Sequence, residues 1–190
     1  MWLSRKEWDK VSSDISLLLQ AASFAADKHR DQRRKNAEAS PYINHPLEVA
    51  RILADDGGVT DAELLMAALL HDTVEDTETS REEIECRFGL FVRELVGEVT
   101  DDKSLPKHRR KALQIETAPH KSDRARQLKI ADKICNVRDI DADSPAGWDV
   151  DRKREYLDWA ERVVAGCRGV NESLDSLFDE TLAATRTRLG

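Results

Sequence analysis

The stretch Leu64-Leu65-Met66-Ala67-Ala68-Leu69-Leu70-His71-Asp72-Thr73-Val74-Glu75-Asp76 decides both the fold and the chemistry of this chain. Its apolar run is rich in strong helix formers and reads as a buried helix. An imidazole and three carboxylates follow directly, groups that water would ordinarily claim. Burying a carboxylate without a partner is expensive, so something must compensate, and a divalent cation is the simplest candidate. His71 and Glu75 are four residues apart, as are Asp72 and Asp76, so each pair shares a strip of one helix face. His71 and Asp72 are consecutive and point about 100° apart, so both reach one ion only at a helix end or bend. The plain alternative is an acidic helix end left in water.

Working towards the N-terminus, Thr60-Asp61-Ala62-Glu63 has capping-box spacing and opens this helix. Before it, Pro46 suits the first position of another helix. That places His45 at the helix entrance, held extended by the proline. Leu47, Val49, Ala50, Ile52 and Leu53 then pack, and Gly57-Gly58 ends the element. From Ser13 to Lys28 apolar residues at Ile15, Leu18, Leu19, Ala22, Ala25 and Ala26 predict a helix with one inward face. His29 extends that stripe and reads as a packed core histidine. The segment 30–36 carries four basic residues in seven, either a solvated loop or a local sink for an anion.

Towards the C-terminus, Ser80-Arg81-Glu82-Glu83 caps a helix that stops at Gly89, and Val92, Leu95, Val96 and Val99 carry the next, closing on Thr100-Asp101-Asp102-Lys103. Residues 104–121 are highly charged, with only Leu113 and Ile115 to anchor them. Ser122 is the N-cap expected for a helix from Asp123 to Asp139, with Ala125, Leu128, Ala131, Ile134 and Cys135 inward. A loop, Asp141–Val150, holds Pro145, Gly147 and Trp148, and two last helices follow. With no β alternation and no repeat, the fold expected is all-α, about 8–10 helices.

At 190 residues the chain is expected to form one domain, large enough to bury roughly 70% of its unfolded surface. The net charge of −7 argues against a nucleic-acid partner. The three cysteines are scattered and in no C-x-x-C pair, which fits reduced thiols in a cytoplasmic protein. Met1–Glu7 has no signal-peptide core, and no run of eighteen apolar residues suggests a membrane span.

Asp132 sharpens the metal reading. It interrupts the apolar helix at Ile130-Ala131-Asp132-Lys133-Ile134, and Asn136 repeats its face one turn later. Such an aspartate needs a partner: an ion pair with Lys129 or Lys133, or a cation. His45 is a fourth unmatched polar group at an element end. Two imidazoles and two carboxylates suit a borderline divalent ion such as Mn²⁺, Fe²⁺ or Zn²⁺, with positions left open for water and substrate.

The order His45, His71-Asp72, Asp132 resembles that of the HD-domain metal-dependent phosphohydrolases. The surrounding words are narrower: Phe24-Ala25-Ala26-Asp27-Lys28-His29, Arg33-Arg34-Lys35, Tyr42-Ile43-Asn44-His45-Pro46, Ala67-Ala68-Leu69-Leu70-His71-Asp72-Thr73-Val74-Glu75-Asp76-Thr77, Val99-Thr100-Asp101-Asp102-Lys103 and Lys129-Ile130-Ala131-Asp132-Lys133-Ile134-Cys135-Asn136. They are similar to the hydrolase domain of the RelA/SpoT family, in particular its stand-alone form, the metazoan SpoT homologue. The likeness spans about residues 20 to 180. His29-Arg30-Asp31-Gln32-Arg33-Arg34 departs from the His-x-Gly-Gln-x-Arg usual in bacterial long forms, which bears on loop geometry rather than chemistry.

The resemblance implies an HD-type helical bundle that hydrolyses the alarmone (p)ppGpp, a small nucleotide, at its 3′-pyrophosphate with one Mn²⁺. It implies His45, His71, Asp72 and Asp132 as metal ligands and Glu75 and Asp76 as the pair that positions and deprotonates the attacking water. Glu75, one turn beyond His71, is free to act as a base. Arg34, Lys35 and Asn136 match residues that face the nucleotide, and Lys107, Arg152 and Tyr156 match contacts to phosphate or sugar. Trp148 could stack on a base or lid the core, and Arg138 could reach phosphate or pair with Asp139. With the sequence ending at Gly190, no synthetase domain is expected to follow. Alternatives are a 2′-phosphatase acting on NADPH at the same site, a general HD nucleotidase, and a non-hydrolysing alarmone-binding module. Glu75 and Asp76 beside a full ligand set argue against the last.

Overall fold

Helix α8 (Asp123–Ala142) is the spine of the molecule. Its buried residues, among them Ala125, Leu128, Ile130, Ile134, Val137 and Ile140, lie on all sides of the helix, the pattern of a helix enclosed by others. It packs against α10 (Glu172–Leu189), α2 (Asn44–Arg51), α9 (Val150–Ala165), α6 (Leu90–Val99) and α3 (Ala62–Leu70). Each fully buried Leu or Ile side chain contributes about 1.5–3 kcal/mol, and those of α3 and α8 join one continuous core. The remaining α-helices are α1 (Arg5–Lys28), α4 (Thr73–Asp76), α5 (Arg81–Phe88) and α7 (Lys107–Thr117). This computed structural model describes residues 5–142 and 144–190; Met1–Ser4, expected to lack a signal sequence, and Asp143 of the Asp141–Val150 loop lie outside them. No strand occurs among the described residues, as the all-α expectation requires; one backbone bridge, Arg33 to Pro41, closes the loop after α1. No helix of the described residues is long and apolar enough to cross a membrane.

Several boundaries differ from expectation. Helix α1 begins at Arg5 rather than Ser13, and Ile15 and Leu19 are 53% and 67% exposed instead of inward. At 1.5 Å per residue α1 is about 36 Å long and its partner α3 about 13 Å. Among the described residues of α1, only those around Ala21, Phe24 and Ala25 are fully covered. The N-cap of α3 is Asp61, whose carboxylate accepts from the amides of Glu63 and Leu64, one residue later than the capping-box reading. Helix α2 starts at Asn44, so Pro46 is its third residue and His45 is helical rather than extended. The turn that brings the Asn44 and His45 amides onto the Pro41 and Tyr42 carbonyls overrides the proline's bias, and a third-position proline still forfeits no intrahelical bond.

Gly57 ends the π turn Ile52–Asp56 that follows α2. A Cβ there would lie 2.8 Å from the Leu53 carbonyl oxygen and 3.1 Å from Leu174 of α10. Residues 104–121, given no element from sequence, contain α7, which has no buried residue. Its periodicity is basic rather than apolar: Lys107, Arg110, Lys111 and Gln114 follow the i, i+3, i+4, i+7 rule and face one cleft.

Candidate active site

Helices α2, α3 and α8 meet at one point. Helix α3 stops at Leu70, and the chain turns at His71 and Asp72 before the single turn of α4. That bend lets two consecutive candidate ligands converge: His71 Nε2 lies 3.0 Å from Asp72 Oδ2. From the first turn of α2, His45 places Nε2 3.7 Å from the same oxygen and 3.2 Å from Asp132 Oδ1 on α8. Ligand atoms of His45, His71 and Asp72 all lie within 4.8 Å of one another. Asp132 stands against this trio through its contact with His45.

Each of the four is held from behind. The Ala68 carbonyl accepts from His71 Nδ1 at 2.8 Å, so Nδ1 carries a proton and Nε2 faces the site. Nδ1 of His45 rests 3.2 Å from Cys135 Sγ. The Tyr42 hydroxyl donates to Asp72 at 2.6 Å, and Lys133 and Asn136 donate to the two oxygens of Asp132 at 2.7 and 2.6 Å. So the Lys133 ion pair weighed from sequence is present, and Asp132 still keeps one oxygen on His45.

Charge explains the arrangement. Burial opposes a proton on His71, but Asp72 outweighs it and raises the pKa to about 9. Burial would raise the Asp72 carboxyl, yet the two histidines hold it well below its usual range; Lys133 and His45 do the same for Asp132. The Tyr42 phenol, buried and beside Asp72, is pushed far up and remains a donor. Two carboxylates converge with two imidazoles whose outer nitrogens are occupied, and this donor set fits one divalent cation.

Glu75 and Asp76, on α4, differ in how they are tied. Glu75 Oε2 accepts the Asp101 backbone N–H at 3.0 Å. Burial first, then the carboxylates of Asp101, Asp72 and Asp76, raise its pKa against that hydrogen bond. Both oxygens of Asp76 are engaged, one by Lys103 in an ion pair and the other by Gln32 Nε2 at 3.1 Å. Gln32 is braced in turn by His29 Nδ1 at 2.7 Å. His29 is thus the packed histidine expected, 2% exposed, and it also supports the site.

A cleft of about 870 Å³ opens beside these groups, and a smaller adjoining pocket of about 170 Å³ holds His71, Asp72 and Asp132; His45, Glu75, Asp101, Gln114 and Asn136 are among the residues that line both. Arg34, Lys35, Asn136, Lys107, Trp148, Arg152 and Tyr156, all singled out from sequence, line the cleft. Arg34 sits between Tyr42 and Asp139, to which it is ion-paired. The Arg152 guanidinium lies 4.6 Å over Trp148, and Trp148, Tyr156 and Trp159 contact one another in turn along one wall with their rings tilted by 57°, so Trp148 both faces the cleft and packs on the core.

Arg138 is the exception. It pairs with Glu48 at 3.4 Å and does not line the cleft, and Asp139 belongs to Arg34 instead. Two residues beyond Asn136 on a helix is a rotation of about 200°, which turns Arg138 away. Sequence reasoning passed over Tyr42, Gln32, Asp101 and Lys103 as partners of the site, and Arg110 and Lys111 in the cleft. The basic stripe on α7 was the available signal for the last two.

The HD-domain family profile matches residues 21–159. The guanosine-3′,5′-bis(diphosphate) 3′-pyrophosphohydrolase of Xenopus tropicalis is 57% identical, covering 89% of this chain and 94% of its own length. Its human counterpart is 55% identical, over 87% and 92%. A solved structure of a metazoan orthologue of SpoT that hydrolyses ppGpp superimposes with a TM-score of 0.86 at 43% identity, covering 97% of each chain. The ligand order, the cleft and these relatives agree, and the chain belongs to the HD-domain hydrolases, in the guanosine-3′,5′-bis(diphosphate) 3′-pyrophosphohydrolase family.

Proposed function

We propose that this chain hydrolyses (p)ppGpp at the ribose 3′ position, releasing pyrophosphate and GDP or GTP, with one Mn²⁺ held by His45, His71, Asp72 and Asp132. The observation that carries the reading is the division of labour around the bend at His71-Asp72: a convergent His/Asp set on one side and a carboxylate with a raised pKa on the other. When bound, a divalent ion supplies Lewis acidity towards water and a phosphoryl oxygen.

The protein's own groups do the rest. Glu75 has one oxygen fixed by the Asp101 amide and one left to take a proton from water. Asp76, with both oxygens committed, orients the water and does not compete for its proton. Water attacks the phosphorus bonded to the 3′-oxygen, that bond breaks to give pyrophosphate, and the proton Glu75 took from the water passes to the 3′-oxygen, which leaves as a hydroxyl. The phosphates lie against Lys107, Arg110, Lys111 and Arg152, with Arg34 and Lys35 facing them across the cleft. The aromatic wall at Trp148 and Tyr156 provides a face for base or sugar.

The test is a product assay with purified protein and Mn²⁺, offering ppGpp and NADPH in separate reactions. Pyrophosphate released from ppGpp supports the reading. Phosphate from NADPH alone replaces it with a 2′-phosphatase, and turnover of neither leaves a binding module.

A further inference from the structure

Lys129 is 5% exposed, one turn before Asp132 on α8, and borders the smaller pocket. Burial first, and then Lys133, lower its pKa to about 8. Its ammonium donates to Gln114 Oε1 at 3.2 Å. Gln114 lies on the cleft side of α7, but both ends of its amide are taken within the protein, since Nε2 donates to Asp101 Oδ2 at 2.6 Å. An ammonium can only donate and a carboxylate can only accept, so the orientation of this amide is fixed without ambiguity. Asp101 then directs its backbone N–H at Glu75 Oε2, 3.0 Å away. Three hydrogen bonds in series join α8, α7, the segment after α6, and α4.

The middle member has a specific task. Asp101 carries a charge that acts on Glu75, so its side chain must be held while its amide is offered. Lys129 is a buried cation that needs an acceptor. A glutamine satisfies both at once, which neither a carboxylate nor a second ammonium can do. We propose that Gln114 is a positioning residue for Glu75: it anchors Asp101 so that the Asp101 amide fixes one oxygen of the Glu75 carboxylate and leaves the other for the attacking water. The inference rests on Glu75 being the base.

Gln114→Met keeps the length and helix preference of the side chain and removes both hydrogen bonds. Gln114→Glu still accepts from Lys129 and sets a like charge against Asp101, so it serves where stranding the ammonium would unfold the protein. Both are expected to lower kcat on ppGpp by about 10- to 100-fold, the effect of a small misplacement in a reacting group. KM and calorimetric Mn²⁺ affinity should stay at wild-type values. A purely structural Gln114 would lower Tm and leave the kcat of the folded enzyme unchanged, which overturns the proposal.

Combining Gln114→Met with Glu75→Gln separates the two claims. Gln114→Met should add nothing to the loss once Glu75→Gln has removed the base. If Glu75→Gln alone turns over at the wild-type rate, the base assignment has failed. If Glu75→Gln is slow and the two effects multiply, the base assignment stands and the positioning role of Gln114 has failed.

Discussion

The two sides of the cleft are built on opposite principles. On the metal side every charged group meets a partner: His71 a backbone carbonyl, Asp72 a phenol, Asp132 an ammonium and an amide. These residues are largely buried, and an unpaired charge among them would cost several kcal/mol. On the α7 and α9 side, Lys107, Arg110, Lys111 and Arg152 line open space. Lys111 and Arg152 lie over aromatic rings rather than beside carboxylates, with the Lys111 ammonium 4.5 Å from the centre of Trp159. In a chain of net charge −7 such a face is a local basic patch, which attracts anions by its field. One side is finished by folding, and the other leaves its cations along an open cleft.

The comparison predicts different failures on the two sides. Asp72→Ala should have the largest effect, abolishing Mn²⁺ binding in a calorimetric titration and pyrophosphate release together; retained metal would remove Asp72 from the ligand set. Next comes the weakest brace on the metal side. His71 leans on a backbone carbonyl that no substitution removes, whereas His45 leans on the thiol of Cys135, which burial and then Asp139 keep protonated. Loss of such an outer partner costs about 10- to 100-fold in metal affinity. Cys135→Ala should therefore weaken Mn²⁺ by that factor and raise the metal concentration needed for turnover.

On the open side, Lys111→Met should raise KM for ppGpp about 10-fold, the loss of one charge-assisted contact. Mn²⁺ affinity should not change, and the loss should shrink as salt is added. Arg138→Ala is expected to do least. Its pair with Glu48 is partly exposed, worth about 0–1 kcal/mol of stability, and both KM and kcat should match wild type. A clear rise in KM for this variant would return Arg138 to the phosphate site.

The same contrast governs what the sequence disclosed. The buried side was legible because burial leaves a mark: His71-Asp72 after an apolar run, and Asp132 inside an apolar helix, each break a pattern. Even the bend between His71 and Asp72 followed from their being adjacent. The partners behind them were less visible, since Tyr42, Cys135 and Gln114 are ordinary residues whose role depends on long-range contacts. Helix α7 was missed because it buries nothing, so its period is carried by Lys107, Arg110, Lys111 and Gln114 instead of by leucines. The length of α1 was missed for a related reason: the described side chains of its first half are exposed or half-buried, so no inward stripe marks it.

The central claim is that His71 and Asp72 hold the metal while Glu75, three residues further on, handles the water. Glu75→Ala, titrated with Mn²⁺ and then mixed with ppGpp, tests it most directly. The account predicts wild-type metal affinity and pyrophosphate release slowed by about 10²- to 10⁴-fold, the usual share of a general base. A variant that loses the metal, or that turns over at the wild-type rate, contradicts it.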